Sequence, residues 1–350
     1  MKVLFIGGTG TISSAISRLA VDLGWELYHL NRGNRKGEFK SLTQIECDIR
    51  TEEAPVIRKK LENVLSARKE KYFDTVVDFL AFVPDHIQKD FNIFNGLCKQ
   101  YIFISSASAY QKPLSSYLIT ESTPLANPYW RYSRDKIACE NLLMEKYREC
   151  AFPVTIVRPS HTYDERSVPL GVHGNKGSWQ VVKRMIEGKP VIIHGDGSSL
   201  WTMTHNSDFA RAFVRLAGNI HAIGEAVHIT SDESATWNQI YQIIADALNV
   251  ELKAVHIASS FLEECSGGLY DFRGSLLGDK ANSVVFDNTK LKRLAPGFCA
   301  QVRLDEGIKM TVANVLAHPE FQQEDPEFDE WCDKVIAAIK LLPLKKPPVI

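Results

Sequence analysis

The sequence predicts an α/β fold: a doubly wound parallel sheet followed by a smaller C-terminal α/β region. Short apolar runs rich in β-branched or aromatic residues recur through the N-terminal half, and the stretches between them are long enough for helices. This alternation is typical of a parallel sheet that helices cover on both faces. The runs that we assign to strands are residues 3–6, 26–30, 75–79, 101–104 and 154–157.

Two of the intervening stretches, residues 13–23 and 133–147, carry apolar side chains at helical spacing. We expect each to be a helix with one buried face, beginning at a serine that caps it. After about residue 160 the pattern loosens into a long polar, glycine-rich segment. The second half therefore differs in organisation from the first.

Composition narrows the class of protein. The 350 residues are 45% apolar, which is enough for a sizeable core, and the formal net charge is -1. Such a balance predicts no nucleic-acid and no membrane partner. The 7 cysteines show no metal-ligand spacing, so we expect reduced thiols and no metal. The apolar run at the N-terminus is too short for a signal or a membrane span, and we expect a cytoplasmic protein.

A glycine-rich turn joins the first strand to the first helix in KVLFIGGTGTISSAI. There the backbone amides can approach a pyrophosphate at the helix N-terminus. Ser13 stands where a third glycine is usual, and it is small enough to be tolerated. We therefore predict a Rossmann-type dinucleotide-binding domain over residues 1–160, extended by later strands, and a mainly substrate-binding cap region over 161–350. The residues assigned to the cofactor here are Gly7, Gly10, Thr11 and Ile12.

The end of the second strand bears on the choice of cofactor. A carboxylate at this point would bind the ribose hydroxyls of NAD, whereas this sequence has Asn31 and Arg32, followed by Arg35 and Lys36. A guanidinium suits the 2′-phosphate of NADP. We expect NADP as the preferred cofactor, with NAD as the alternative. A solvated basic loop is the other interpretation of these residues.

Later motifs, in their order, resemble the extended short-chain dehydrogenases/reductases, the NAD-dependent epimerase/dehydratase family. The segments that carry the resemblance are CDIR, VVDFLAF, YIFISSASAY, YSRDK and TIVRPSHTY, and it extends from the N-terminus to about residue 311. It implies a homodimer formed through helices at about 85–97 and 133–147. The further cofactor-binding residues that it implies are Asp48, Ile49, Phe79, Leu80, Ala81, Ser105 and Pro159.

The same resemblance implies that Ser106, Tyr132 and Lys136 are catalytic, with Ser105 and Ser108 as alternatives for the serine. These residue types suit hydride transfer, because oxidising an alcohol requires a base for the hydroxyl proton. Free tyrosine, with a pKa of about 10, is too weak a base, and a lysine on the same helical face favours the phenolate. A serine hydroxyl would hold the substrate oxygen. Taken alone, the serines are also typical of a turn or a cap. The Tyr–Lys spacing is also typical of a surface helix.

Departures from the family pattern restrict the reaction. The 4,6-dehydratases have an Asp–Glu pair where this chain has Ala107 and Ser108, so dehydration is disfavoured. We expect an NAD(P)-dependent oxidoreductase or epimerase acting on a hydroxyl or ketone of a sugar, most simply a nucleotide sugar. One alternative is a one-way NADPH-dependent reductase of a keto sugar or other carbonyl. Another is a non-catalytic nucleotide- or RNA-binding protein, as the chloroplast stem-loop binding relatives show.

Four residues are candidates for substrate contact: Ser108, His161, Trp201 and Lys280. His161 stands where related enzymes often have an asparagine, and it can donate to a hydroxyl or serve the local structure. Trp201 and Lys280 stand at or near positions where arginines commonly bind a diphosphate. An indole can stack on a sugar or a base, and core packing is an equal interpretation of Trp201.

Overall fold

The computed structural model describes residues 1–33 and 42–341. Arg35 and Lys36, which belong to the basic cluster after the second strand, lie outside those residues. The chain divides into two compact units, and it returns to the first unit twice. The first unit comprises Met1–Asp164, Thr202–Ser234 and Val284–Leu304, and the second comprises Glu165–Trp201, Ala235–Ser283 and the residues from Asp305 onward.

The strands and helices of both units are numbered here in chain order. The strands are β1 (Lys2–Ile6), β2 (Glu26–Asn31), β3 (Thr43–Glu46), β4 (Thr75–Asp78), β5 (Tyr101–Ile104), β6 (Leu118–Ile119), β7 (Val154–Pro159), β8 (His161–Tyr163), β9 (Val191–His194), β10 (Leu200–Trp201), β11 (Met203–His205), β12 (Ala226–Ile229), β13 (Ala235–Thr236), β14 (Ala254–Ile257) and β15 (Val285–Phe286). The α-helices are α1 (Thr11–Asp22), α2 (Ala54–Ala67), α3 (Pro84–Phe94), α4 (Arg131–Cys150), α5 (Trp179–Ile186), α6 (Asn206–Leu216), α7 (Trp237–Leu248), α8 (Ser259–Ser266), α9 (Thr289–Leu294), α10 (Leu304–Ala317) and α11 (Pro326–Leu341).

Seven strands form the central sheet of the first unit, in the order β12-β7-β5-β4-β1-β2-β3. Each neighbouring pair is parallel. The five predicted strands all lie in this sheet, which confirms the predicted Rossmann-type α/β fold. The strand order reverses between β1 and β4, and ligands of open α/β sheets bind at the carboxyl ends of the strands at such a point. The glycine-rich turn follows β1 and therefore lies there.

Helices cover both faces of the sheet. Successive strand residues point to opposite faces, so β1 contributes apolar side chains to the core on each side. On one face, Val3 and Phe5 of β1 belong to an apolar cluster that includes Ile16 of α1 and residues of α6 and α9. On the other face, Leu4 and Ile6 belong to a cluster with residues of α2, α3 and α4. Each fully buried side chain of this size stabilises the fold by roughly 1.5–3 kcal/mol. This packing fixes the strand ends that carry the candidate site.

The two predicted helices are present as α1 and α4, but the prediction that serines cap them is wrong. Each helix begins two residues earlier, at Thr11 and at Arg131. The serine hydroxyls have partners of a different kind. Ser13 Oγ accepts the backbone N–H of Gly10 at 2.9 Å, and Ser133 Oγ donates to Ser108 Oγ at 2.7 Å. Ser13 thus supports the glycine turn from inside the first turn of α1.

The second unit contains the parallel pair β9–β14 and the antiparallel pair β10–β13, together with α5, α7, α8, α11 and most of α10. Its core includes Trp237, which is fully buried. Residues 273–280 form a π-helix. Throughout residues 1–33 and 42–341, no helix is long and apolar enough to cross a membrane.

Candidate active site

The glycine turn (residues 7–10) has a backbone that other residues would not adopt readily. Gly7 and Gly8 have φ angles of 104° and 114°, in the left-handed region that glycine populates without a steric penalty. Gly8 also lies against the ring of His29 on β2, where an added Cβ would stand 2.5 Å from Cε1. His29 is buried and its Nε2 lies 3.0 Å from Ser17 Oγ. Burial lowers its pKa to about 4, so the ring is neutral at physiological pH.

The N-terminus of α1 follows the glycine turn. Thr11 and Ile12 are its first two residues and are half-buried. The carbonyl of Thr11 accepts a hydrogen bond from Asn206 Nδ2 of α6 at 3.1 Å, which fixes the start of the helix. A helix N-terminus after a glycine turn attracts phosphate through its backbone N–H groups and its dipole. The residues present therefore fit the pyrophosphate of a dinucleotide.

At the end of β2, Asn31 forms a local turn. Its Oδ1 accepts the N–H of Gly33 at 2.9 Å and a hydrogen bond from Gln44 Nε2 at 3.1 Å. Arg32 follows and is exposed. A neutral amide at this position adds no negative charge, so it does not repel a 2′-phosphate as a carboxylate would.

The loop after β3 carries Asp48 and Ile49. Asp48 is half-buried and its Oδ1 accepts the N–H of Arg50 at 2.9 Å. Ile49 is 5% exposed and its side chain belongs to the sheet core. Asp48 is therefore the member of this pair with a polar side chain near the surface.

Residues 79–81, which we call the β4 turn, follow the last residue of β4. Asp78 Oδ1 accepts the N–H of Leu80 at 2.6 Å and that of Ala81 at 3.1 Å. Leu80 Cγ would lie 3.3 Å from a Cβ added to Gly7. The β4 turn therefore lies beside the glycine turn, and the buried Asp78 carboxylate fixes its backbone.

Lys136 on α4 is 2% exposed and connects two strand ends. Its Nζ donates to the carbonyl of Ala81 at 2.7 Å and to that of Ile104 at 2.8 Å. The ammonium also lies 4.7 Å from the ring centroids of Phe82 and Phe103, within cation–π range. Burial lowers its pKa to about 8, and the charge of Asp78 opposes that decrease.

A shifted pKa of this kind predicts a pH-dependent stability. Unfolded lysine releases its proton near pH 10.5, whereas folded Lys136 releases it near pH 8, so the unfolded state holds more protons between these values. Stability must therefore rise with pH across that window. We expect the unfolding free energy of the wild type, minus that of Lys136→Met, to rise by about 3 kcal/mol from pH 8 to 10.5. Urea unfolding at several pH values measures it, and a flat difference would contradict a buried ammonium.

Tyr132 lies four residues before Lys136, and the lysine Nζ is 5.8 Å from the centroid of the phenol ring. Two aromatic rings flank Tyr132: Trp130 at 5.0 Å and Phe82 at 6.4 Å between centroids. The ring is half-buried. An ammonium at this distance favours the ionised form of a phenol. This arrangement is compatible with the predicted Tyr–Lys pair.

Ser106 lies just beyond the end of β5, at the start of a short 3₁₀ helix. Its Oγ accepts the N–H of Ser108 at 3.2 Å and lies 2.8 Å from Ser108 Oγ. Ser133, which directly follows Tyr132, donates to Ser108 Oγ at 2.7 Å. These hydroxyls form a chain from the end of β5 to α4. When Ser108 donates to Ser106, the Ser106 proton is left for a substrate oxygen.

Ser105, the neighbouring alternative, has a different environment. It is buried and its Oγ donates to Glu140 Oε1 at 2.5 Å. Glu140 in turn forms a buried ion pair with Arg158 at 2.5 Å. The Ser105 hydroxyl therefore belongs to a structural network beneath the strand end, which favours Ser106 as the reactive serine.

Asn127 is a residue of this site that sequence reasoning missed. It is buried, its Nδ2 donates to the carbonyl of Ser108 at 2.9 Å, and its Oδ1 accepts the N–H groups of Tyr129 and Trp130, each at 3.1 Å. It thereby ties the serine segment to the start of α4 and helps to position Tyr132. The Asn–Pro dipeptide in ANPYW is a turn signal that could have indicated it.

Two further predicted residues of the first unit lie at its strand ends. Pro159 is the buried last residue of β7, and His161 on β8 is half-buried and pairs in register with Met203 of β11. Among the described residues, no three His, Cys, Asp or Glu side chains group so as to hold a metal ion.

Trp201 and Lys280 belong to the second unit. Trp201 is 3% exposed and lies 5.5 Å from Trp237 between ring centroids, which favours the core-packing interpretation. Lys280 ends the π-helix and is buried. Its Nζ lies 3.5 Å from the carbonyl of Ser275, and burial lowers its pKa. Because both side chains are buried, each would have to become exposed before it could contact a large ligand directly.

A parallel sheet with a glycine turn at the end of β1, and a buried lysine beside the ends of β4 and β5, defines a dinucleotide-binding protein of the Rossmann class. The chain belongs to the NAD-dependent epimerase/dehydratase family, whose model matches residues 3–230. This match confirms the resemblance identified from the motifs.

Individual relatives are distant and differ in function. Over 198 residues the chain is 26% identical to 2′-dehydrokanamycin reductase of Streptomyces kanamyceticus, covering 56% of this chain and 54% of that protein. It is 25% identical over 251 residues to chloroplast stem-loop binding protein of 41 kDa b of Arabidopsis thaliana, covering 70% and 63%. The matches thus span less than two thirds of either relative.

Among solved structures, the fold is similar to UDP-glucuronic acid 4-epimerase from Bacillus cereus in complex with UDP-glucuronic acid and NAD. The TM-score is 0.68 at 17% identity, covering 91% of this chain and 99% of that one. At this identity the similarity concerns the fold.

Proposed function

We propose that the protein is an NAD(P)-dependent oxidoreductase or epimerase that acts on a hydroxyl or ketone of a sugar, with a nucleotide sugar as the expected substrate. The observation that carries the proposal is the buried Lys136 ammonium, 5.8 Å from the Tyr132 ring and anchored to the β4 turn. Family membership and a reductase and an epimerase among the similar proteins support it.

In the proposed mechanism, a bound nicotinamide would supply the acceptor or the donor of the hydride. Tyr132 takes the hydroxyl proton as that hydride leaves carbon, and it returns the proton in the reverse direction. Lys136 stabilises the phenolate by its charge. Ser106 donates a hydrogen bond to the substrate oxygen and stabilises the charge that develops there. The glycine turn and the start of α1 would hold the pyrophosphate.

A one-way reductase is the second candidate. The similarity to 2′-dehydrokanamycin reductase favours it, because such an enzyme would consume NADPH as a co-substrate rather than retain the cofactor through two half-reactions. The RNA-binding alternative has the stem-loop binding relative in its favour. We also propose a cytoplasmic homodimer that uses α3 and α4, which light scattering of the purified protein would test.

Mass spectrometry of the purified protein for retained dinucleotide is the first experiment. A retained cofactor together with interconversion of two sugar nucleotides supports the epimerase. Stoichiometric NADPH oxidation with a keto sugar supports the reductase. An RNA shift that survives Tyr132→Phe, with no turnover of any sugar, supports the RNA-binding alternative.

We expect Arg32→Ala to weaken NADPH binding about tenfold or more while changing NADH binding little, because only NADPH presents a 2′-phosphate to the guanidinium. Isothermal titration with both cofactors measures the two affinities. Arg293→Ala, an exposed arginine on α9, is the control. An equal loss for both cofactors would assign Arg32 to a solvated loop.

We expect Ser106→Ala to lower kcat by about 10²–10³-fold, as for the loss of an oxyanion donor. Its melting temperature should fall only slightly, because the N–H of Ser108 loses the Ser106 hydroxyl as an acceptor. Ser105→Ala should lower the melting temperature more, because it removes one of the two donors to the buried Glu140 Oε1 and leaves only Arg158 Nε. Steady-state kinetics and thermal unfolding of both variants compare the two serines. The reverse pattern would make Ser105 the catalytic serine.

A further inference from the structure

Two buried carboxyl groups lie beneath the β4 turn, and the mechanism above does not use them. Asp78 ends β4 and is 1% exposed, and Asp90 on α3 is 3% exposed. The hydroxyl of Tyr101, on β5, lies 2.6 Å from Asp90 Oδ2 and 3.2 Å from Asp78 Oδ2. A phenol has a single proton to donate, so it cannot satisfy both carboxylates.

The pair is asymmetric in its hydrogen bonds. Asp78 Oδ1 accepts two backbone N–H groups, those of Leu80 and Ala81, and such bonds favour the ionised form of a carboxyl group. Asp90 is buried, and burial together with the charge of Asp78 and a hydrogen bond to it raises the pKa of Asp90 well above its usual range, although the hydrogen bond from Tyr101 acts in the opposite direction. Two adjacent buried carboxylates without a cation between them would repel strongly. One shared proton, on Asp90, resolves this.

The β4 turn connects this pair to Lys136. Its N–H groups bond to Asp78, and its Ala81 carbonyl accepts the lysine Nζ at 2.7 Å. The charge of Asp78 also opposes the effect of burial on Lys136. The carboxylate therefore acts on the lysine both through the backbone of the turn and through the electric field.

We propose that Asp78 is a positioning residue for Lys136. Asp90 carries the shared proton, so that Asp78 remains ionised, fixes the β4 turn and supplies the buried counter-charge that keeps Lys136 an ammonium. The inference rests on the proposed catalytic role of Lys136, but its electrostatic part concerns the fold alone. The charged or titratable groups that face the pair and the lysine are Arg50, His86, Tyr101, Tyr132, Cys139 and Glu140.

The test follows the titration of Lys136 through stability, which requires no substrate. The quantity measured is the unfolding free energy of the wild type minus that of Lys136→Met. This difference starts to rise near pH 8. The same difference is then measured between Asp78→Asn and the double variant Asp78→Asn/Lys136→Met. There we expect the rise to begin about one pH unit lower. In an Asp90→Asn background the rise should begin where the wild type shows it, because that carboxyl group is already neutral.

Asp78→Ser is the second variant if Asp78→Asn does not fold, since its hydroxyl still accepts a backbone N–H without a charge. A shift in the Asp90→Asn background, or no shift in either Asp78 background, overturns the proposal. The second readout is the pH dependence of kcat. Its high-pH limb should shift to lower pH in Asp78→Asn. If the protein proves to have no turnover, the proposed function fails, and the stability measurement still decides whether Asp78 sets the charge of Lys136.

Discussion

Replacing Tyr132 by phenylalanine is expected to lower turnover by about 10²–10⁴-fold, the usual contribution of a positioned general acid or base. The substitution removes one oxygen and retains the ring that packs against Trp130 and Phe82. Dinucleotide affinity and melting temperature should therefore remain close to those of the wild type. Stopped-flow or steady-state assays with the substrate found by screening, together with isothermal titration of the cofactor, measure these quantities.

Tyr117→Phe is the matched control, because Tyr117 is 69% exposed and undergoes the same chemical change. It should leave turnover unchanged. Full turnover in Tyr132→Phe would contradict the assignment of the proton-transfer group and leave the dinucleotide-binding fold intact. Loss of cofactor binding in that variant would instead indicate that the phenol serves binding rather than chemistry.

The parts of the fold that the sequence could predict are those with strong local patterns. The strands of the sheet interior are continuous apolar runs, and β1 with its glycine turn has both the pattern and the turn residues. Two strands of the central sheet were missed. β3 has three exposed residues out of four, so it lacks an apolar run, and β12 joins the sheet from far along the chain, beside β7. Pairing of that kind depends on tertiary contacts rather than on local propensity.

At the candidate site, the predicted residues were those whose type suggests chemistry, such as Tyr132 and Lys136. The residues that hold them were not predicted. Asp78, Asp90 and Tyr101 lie on three different elements and meet only in the folded chain. The capping serines were wrongly assigned for a related reason, because the partner of a hydroxyl depends on loops that the local sequence does not specify.

Gly8→Ala is expected to lower the melting temperature by several degrees and to weaken dinucleotide binding about tenfold or more. Two effects combine at this position. The φ angle of 114° strains any residue with a side chain, by about 1–3 kcal/mol. A Cβ would also stand 2.5 Å from His29 Cε1, so the ring or the glycine turn must move. Displacement of the turn would misalign the backbone N–H groups that are proposed to bind the pyrophosphate.

Gly24→Ala separates the two effects, because Gly24 also has a positive φ, 71°, with no atom within 4 Å of an added Cβ. It should cost only the backbone strain and leave cofactor affinity unchanged. The double variant Gly8→Ala/His29→Ala, compared with His29→Ala alone, should recover part of the loss, because the ring that meets the new methyl group is gone. A coupling energy of about 1 kcal/mol or more between the two sites is expected. Strictly additive losses would mean that backbone strain alone makes Gly8 necessary, and that His29 does not shape the turn.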